Sequence, residues 1–330
     1  MKKGYRIAVV GATGMVGETF IKVLQERQFP IDDISFFASK RSVGKMIEFK
    51  EKMYPVLELN EHSFDSGYDF ALFSAGGETS LKYAPIAASQ GAVVIDNSSA
   101  WRMNPAISLI VPECNGNMLS KSDRIIANPN CSTIQSVVPL KVIDDLFGLK
   151  RVIYSSYQAV SGSGYKGLFD LDRGKRGESP QFYPKQIYDN CFPHIDDFLD
   201  TDYTKEEKKM IEETRKILGK STLAVTATCV RIPVPMGHSV SINVECERQI
   251  DLDLLKGTFK NHSGIVFYDG KSYPTPLDAS GTDLVHVGRL RVDSSAKHAL
   301  NLWVVADNVR KGAATNAIQI AEHMIKEGLI

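Results

Sequence analysis

Seven residues near the start of the chain, Gly11-Ala12-Thr13-Gly14-Met15-Val16-Gly17, limit its architecture more than any other stretch. The short run Arg6-Ile7-Ala8-Val9-Val10 before them has the character of a buried parallel strand, and Phe20, Ile21, Val23 and Leu24 recur at helical spacing after them. Glycines so spaced also mark ordinary turns. Between a first strand and a helix, however, they let backbone approach a pyrophosphate, whose charge the helix N-terminus favours. The segment therefore predicts a nucleotide-binding strand, turn and helix.

The second strand, Ile34–Ala38, runs into Ser39-Lys40-Arg41-Ser42. An NAD site usually carries an acidic residue here for the ribose 2′-hydroxyl, whereas two cations and two hydroxyls suit a 2′-phosphate. NADP is the expected cofactor, with a solvated basic loop as the plain alternative. Further alternation follows in Tyr68–Phe73, a helix from Gly77 to about Gln90, Ala92–Ile95, Leu109–Val111 and Ile125–Ala127. The fold class is thus α/β, with a doubly wound, Rossmann-type parallel sheet over residues 1–130. Loops at the C-terminal ends of such strands line the ligand crevice. The loop Asp96-Asn97-Ser98-Ser99-Ala100-Trp101-Arg102 carries a guanidinium able to hold phosphate or carboxylate through paired hydrogen bonds, or equally a structurally paired arginine.

At 330 residues and 43% apolar content the chain has material for two domains. Its 39 basic and 39 acidic residues cancel, so neither nucleic acid nor an anionic membrane is expected as the main partner. The opening Met1-Lys2-Lys3-Gly4-Tyr5 could imitate a signal peptide, but glycine interrupts the apolar run after Val10, and nothing later approaches membrane-spanning length. Five cysteines without CxxC spacing fit reduced thiols rather than a disulfide framework or a metal site. A cytoplasmic protein is expected.

One cysteine stands apart. Cys131 lies in Asn128-Pro129-Asn130-Cys131-Ser132-Thr133, between the strand Ile125–Ala127 and a helical pattern carrying Val137, Val138, Leu140 and Val142. A thiol at a strand-to-helix turn meets the positive end of the helix, which favours thiolate. A merely packed cysteine is the alternative, though the polar neighbours make a poor apolar niche. From 131 to 311 the periodicity changes. His238–Glu247 alternates, with Val240, Ile242, Val244 and Cys246 on one face and Ser241, Asn243, Glu245 and Glu247 on the other. That pattern predicts an α+β catalytic and dimerisation domain with a mixed or antiparallel sheet, its polar face available to another subunit. Residues 204–218 read as a helix opened by a Thr204/Glu207 capping box, with Glu206 and Lys209 on one side. The helix at about 312–330 is expected to pack back on the first domain.

Together these landmarks resemble the aspartate-semialdehyde dehydrogenase family over nearly the whole chain. The resemblance rests on Gly11–Gly17, Ser99-Ala100-Trp101-Arg102, Asn130-Cys131-Ser132-Thr133, Gln158 with Ser161-Gly162, Glu206–Lys209, Cys229-Val230-Arg231-Ile232-Pro233, Gly237-His238-Ser239 and Asp307–Gly312, in the family's order. It implies NADPH-dependent reductive dephosphorylation of L-4-aspartyl phosphate to L-aspartate 4-semialdehyde, in lysine, methionine and threonine biosynthesis. Cys131 would be the thioester-forming nucleophile, Gln158 would orient the acyl group, and His238 would exchange protons near its intrinsic pKa. Arg102 and Lys209 would hold phosphate, Arg231 the substrate carboxylate, and Glu206 its amino group. Gly11, Thr13, Gly14, Met15, Val16, Arg41, Ser42, Ser161, Gly162 and Asn316 would line NADP. A homodimer or dimer of dimers is implied.

Two other readings remain open at this stage. N-acetyl-γ-glutamyl-phosphate reductase shares the chemistry, but a Glu206 aimed at a free ammonium would be useless to an acetamido group. A non-catalytic NADP-binding redox sensor would use Cys131 only for oxidation. Exchanging Arg41 for Asp should move the kcat/KM ratio of NADP over NAD toward NAD by about tenfold, the loss expected of a charge-assisted contact. An unchanged ratio in steady-state assays removes the argument from this loop.

Overall fold

A computed structural model describes residues 4–330; Met1-Lys2-Lys3, counted above with the first domain, lie outside the described residues. The chain divides into two compact units, one running to Pro129 and resuming at Ala313–Ile330, the other spanning Asn130–Gly312.

The first unit contains β1 (Tyr5–Val10), α1 (Met15–Glu26), β2 (Ile31–Ala38), β3 (Met46–Phe49), β4 (Lys52–Glu58), β5 (Phe70–Phe73), α2 (Gly77–Ser89), β6 (Val93–Asp96), β7 (Ser108–Leu109), α3 (Pro112–Asn115) and β8 (Ile125–Ala127). The eight strands lie in the order β3-β4-β2-β1-β5-β6-β8-β7, all neighbours parallel except β3 and β4. With β2 on one side of β1 and β5 on the other, the glycine turn after β1 sits where the winding reverses, which is where such sheets bind ligands. Alternate residues of β1 serve the two faces. Ile7 and Val9 pack with Phe20 and Leu24 of α1 and with Ile318 and Ile320 of the C-terminal helix Thr315–Lys326. Ala8 and Val10 join Phe73 and the α2 alanines 84 and 87.

Two local readings change. The strand expected at Leu109–Val111 stops at Leu109, because Pro112 opens a helical turn and lacks the N–H a ladder needs. The β3–β4 hairpin was not read at all: Met46, Met53 and Leu57 face solvent, so the pair carries no clean buried stripe.

In the second unit, α4 (Cys131–Phe147) leads to β9 (Leu149–Gln158), α5 (Tyr165–Lys175), α6 (Lys205–Ile217), β10 (Ala224–Arg231), β11 (His238–Cys246), α7 (Leu252–Asn261), β12 (Ile265–Phe267), α8 (Pro276–Ala279), β13 (Val285–Val292) and β14 (Ala299–Ala306). Its sheet is mixed, in the order β10-β9-β11-β14-β13-β12, with β10/β9 and β12/β13 parallel and the other pairs antiparallel. On β11, Val240, Ile242, Val244 and Cys246 are buried while Ser241, Asn243 and Glu245 are half-exposed, as the alternation predicts. The capping box at Thr204 and Glu207 is present. Parallel β9 and β10 end at the same edge, and antiparallel β11 begins there, so Gln158, Arg231 and His238 share one end of the sheet.

In the first unit, buried Asn128 behind β8 donates from Nδ2 to Asn97 Oδ1 (2.7 Å) and Ala313 O (3.0 Å), and accepts at Oδ1 from Asn316 Nδ2 (2.7 Å). It therefore ties the loop after β6 to the entry of the C-terminal helix. Asn128→Ala should lower the unfolding free energy in urea by roughly 2–4 kcal/mol, since its partners are left buried without replacements. A loss within ~0.5 kcal/mol, the size of an ordinary surface change, would mean that water satisfies those groups instead.

Candidate active site

In the first unit the glycine turn leaves little room for side chains. A Cβ on Gly11, whose φ is +85°, would lie 2.4 Å from Ser74 O, and one on Gly17 would lie 2.2 Å from Gly11 O. No side chain caps the N-terminus of α1 at Gly14, so the first-turn amides of Met15 and Val16 are not claimed by a capping group. Thr13 Oγ1 donates to Ser42 Oγ at 3.2 Å, joining this turn to the one after β2. Lys40 and Arg41 are exposed there, and neither forms an ion pair among the described residues. These residues fit a dinucleotide with an added phosphate. Asn316 differs from its expected role. It is fully buried and its amide group donates to Ile110 O (3.0 Å) and Asn128 Oδ1 (2.7 Å), which makes it a brace of the fold rather than a donor facing a crevice.

Arg102, also in this unit, is buried, with Nε donating to Asn128 O and Nη2 to Asn97 O, both at 2.9 Å. Ser98 Oγ donates to Asp96 Oδ2 (2.6 Å) and Trp101 Nε1 to Ser80 Oγ (3.0 Å), holding its loop. Burial pushes the Asp96 carboxyl above the usual range.

In the second unit Cys131 is the first residue of α4 and is partly exposed. Asn130 caps the helix, its Oδ1 accepting from Ser132 N (3.0 Å) and Thr133 N (3.2 Å). The helix dipole still points its positive end at the sulfur, but those two amides are occupied by the cap and are not open to a ligand. Asn130 is itself fixed: its N donates to Glu213 Oε2 (2.7 Å) and its Nδ2 to Glu206 Oε1 (2.8 Å). Gln158 Nε2 reaches the same Glu206 oxygen at 3.2 Å, and Lys209 Nζ donates to Glu206 Oε2 at 3.4 Å and to Asp196 Oδ2 at 2.6 Å. A carboxylate has about four acceptor sites, so Glu206 keeps capacity for a ligand.

One residue organises the rest. Ala159 N donates to His238 Nδ1 at 3.0 Å, and Ala159 O accepts from Arg231 Nη1 at 2.7 Å. With Nδ1 accepting, the imidazole carries its proton on Nε2. Burial, helped by the Arg231 charge, holds the His238 pKa well below its ordinary value, so the resting ring is neutral. That corrects the expectation of an unshifted histidine. His238 Nε2 and Arg231 Nε are both buried without a hydrogen-bond partner. Gly162 keeps the space before them open, since a Cβ there would lie 2.8 Å from Arg231 Nη1 and 3.2 Å from His238 Nε2. Ser161 is buried beside it and donates to Asn308 Oδ1 (3.1 Å), which also accepts from Gly237 N (2.9 Å).

The sequence reading passed over Asn130, Ala159 and Gly312 as individual contributors. Asn130 had a signal, an amide residue immediately before a helix. Gly312 stood in a quoted motif, and a Cβ there would fall 2.8 Å from Cys131 Cβ. Ala159 had none, because only its backbone acts. Among the described residues no cluster of His, Cys, Asp or Glu could hold a metal, and no helix is long and apolar enough to cross a membrane.

Comparison with known proteins adds to this geometry. A family model described as semialdehyde dehydrogenase, NAD binding domain, matches residues 6–122, and one described as semialdehyde dehydrogenase, dimerisation domain, matches residues 140–311. The chain is 53% identical to the aspartate-semialdehyde dehydrogenase of Aquifex aeolicus over 99% of its own length and 100% of the relative's. Against aspartate-semialdehyde dehydrogenase 2 of Vibrio cholerae it is 47% identical, with 99% of each covered. The crystal structure of the Vibrio cholerae aspartate semialdehyde dehydrogenase II complexed with ASA superposes at a TM-score of 0.94, 46% identity and 99% coverage of both chains. A Candida albicans aspartate semialdehyde dehydrogenase with NADP superposes at 0.79, 25% identity, covering 99% of this chain and 100% of that one.

Because the His238 pKa is lower in the fold than its unfolded value near 6.5, the unfolded chain binds the extra proton first as pH falls. Its contribution to stability is complete above about pH 6.5 and is lost below it. His238→Asn, which keeps an acceptor for Ala159 N, should flatten the decline of the urea midpoint between about pH 6.5 and 5. His286, also lowered by burial, acts with the same sign in both proteins and cancels. Equal slopes would show that His238 is already charged in the fold.

Proposed function

This chain belongs to the aspartate-semialdehyde dehydrogenase family of amino-acid-biosynthetic oxidoreductases, and from that membership we propose how its residues divide the reaction. The substrate is L-4-aspartyl phosphate and the products are L-aspartate 4-semialdehyde and phosphate. The first unit carries most of the residues assigned to the nicotinamide cofactor, and the second those assigned to the acyl group. NADP is favoured over NAD by the uncompensated Lys40 and Arg41 beside Ser42. Gly11, Thr13, Gly14, Met15, Val16, Arg41 and Ser42, with Ser161 and Gly162, are its residues. Asn316 serves it only by bracing. When bound, NADPH supplies the hydride.

Cys131 thiolate attacks the acyl carbon, a C–S bond forms, and phosphate leaves with the electrons of the C–O bond. Arg102 and Lys209 are assigned to that phosphate. The resulting thioester accepts hydride more readily than the acyl phosphate, so one hard step becomes two. Gln158, held by Glu206, orients the acyl carbonyl. The neutral His238 donates its Nε2–H to the oxygen as negative charge develops, a role that needs no protonated imidazole. When the thiohemiacetal alkoxide, held by that Nε2–H hydrogen bond, collapses, its oxygen electrons re-form the carbonyl and the C–S electrons leave with Cys131 as thiolate. Arg231 binds the α-carboxylate and Glu206 the ammonium, so that binding at the far end aligns the reacting one.

The observation that carries this reading is the pair of buried, unpartnered donors, His238 Nε2 and Arg231 Nε, with His238 Nε2 and the Arg231 guanidinium bordering the space that Gly162 leaves open. Buried donors without partners are rare in folds and mark where an anionic ligand completes the bonding. The protein works as an oligomer through its second unit, as a homodimer or a dimer of dimers, with the half-exposed face of β11 offered to the other copy. Its free thiols suit the cytoplasm.

Oxidation of aspartate semialdehyde should depend on added phosphate, and Cys131→Ala should lower kcat by at least about a thousandfold, the scale on which enzymes lose a covalent nucleophile. Acyl phosphate without reductant should leave an acyl adduct on the Cys131 peptide in a rapid-quench mass measurement. Phosphate-independent NADPH formation, or an unmodified peptide, would overturn the thioester route.

A further inference from the structure

Arg231 is a buried guanidinium with no carboxylate partner among the described residues, an arrangement that costs free energy unless something else compensates the charge. The Ala159 carbonyl supplies one contact. The other comes from Tyr183, whose ring centroid lies 5.9 Å from the guanidinium carbon. We propose that Tyr183 is a positioning residue for substrate specificity: its ring fixes the Arg231 guanidinium in the orientation that grips the substrate's α-carboxylate. The proposal rests on the reading of Arg231 as the carboxylate-binding residue.

The ring is set in place from four sides. Its hydroxyl lies within hydrogen-bond distance of Ser163 Oγ (3.0 Å) and Val160 O (3.4 Å), its single proton serving one of them at a time. Gly167 leaves the slot that this hydroxyl fills, because a Cβ there would come within 2.7 Å of it. Phe192 packs edge-on against the ring at 5.6 Å, while its own backbone pairs with Arg231, N to O at 3.2 Å and 2.9 Å. The fourth side is the backbone. Asp170 of α5 accepts from the amides of Gln181 (2.8 Å), Phe182 (2.8 Å) and Tyr183 (2.7 Å). Burial alone would raise that carboxyl, but the three amides outweigh it and hold it below the usual range.

So much fixation of one neutral ring has a chemical use. A guanidinium grips carboxylate through two parallel bonds and loses most of that advantage when tilted. A π face compensates the charge without competing for it as a fixed carboxylate would, so Arg231 stays available to an incoming anion. An Asp or Glu in place of Tyr183 would satisfy the arginine and shut the substrate out.

The test compares phosphate-dependent oxidation of aspartate semialdehyde with that of 3-aminopropanal, the same aldehyde without its carboxylate, in the full-length enzyme. Tyr183→Leu and the longer, unbranched Tyr183→Met, neither offering a π face, should raise KM for aspartate semialdehyde about tenfold, the factor a desolvated cation–π contact supplies. Their KM for phosphate and their kcat/KM for 3-aminopropanal should stay within about twofold of wild type, and Tyr183→Phe should restore the semialdehyde KM to within about threefold, its ring being kept. In an Arg231→Met background, Tyr183→Met should change nothing further. An unchanged semialdehyde KM, or equal losses on both aldehydes, overturns the role of Tyr183 while leaving that of Arg231 intact. If Arg231→Met itself keeps the preference for the carboxylate-bearing aldehyde, the reading of Arg231 fails and Tyr183 falls with it.

Discussion

A single backbone residue at the end of β9 governs the chemistry of the second unit. Ala159 gives its N–H to His238 and its carbonyl to Arg231, so one residue sets both the histidine tautomer and the arginine position. Because the residue directly follows β9, an interior strand of the sheet, neither side chain needs a carboxylate to orient it. This matters for catalysis of acyl transfer from a doubly charged substrate. A fixed anion beside His238 or Arg231 would compete with the ligand, whereas a carbonyl and an amide direct the groups without filling them.

A second network holds the nucleophile. Glu206 bonds Asn130, the residue that caps α4 beneath Cys131, and Gln158, the last residue of β9. Glu213 takes the Asn130 amide from the other side. The cap thus joins a helix start to the sheet end and fixes the place of the cysteine that opens the helix. Gly312 completes the setting from the opposite direction by letting backbone lie against Cys131. Lys209 pairs with both Asp196 and Glu206 at the edge of this network.

Much of the architecture was legible from pattern. The glycine turn between β1 and α1, the alternation along β11 and the capping box of α6 are each enforced by local physics: close approach of backbone, one buried face, and two amides needing partners. What escaped was local structure without such a signature. The β3–β4 hairpin exposes Met46, Met53 and Leu57, and the strand read through Val111 was cut by a proline whose effect on a short edge segment outweighed the hydrophobic run. The cluster around Tyr183 and Phe192 belongs to an irregular stretch with no periodicity to read.

By itself the sequence determined which chemistry the chain can perform, because a nucleophile at a helix start, a paired basic turn and a Gly-rich loop are functions of residue type and spacing. Tertiary structure alone decided the protonation state of His238, the turning of Asn316 into an internal brace, and the ring beneath Arg231. Each of those depends on burial and on partners tens of residues away. No local pattern encodes the desolvation and long-range hydrogen bonding that set a charge, spend a donor or orient a guanidinium.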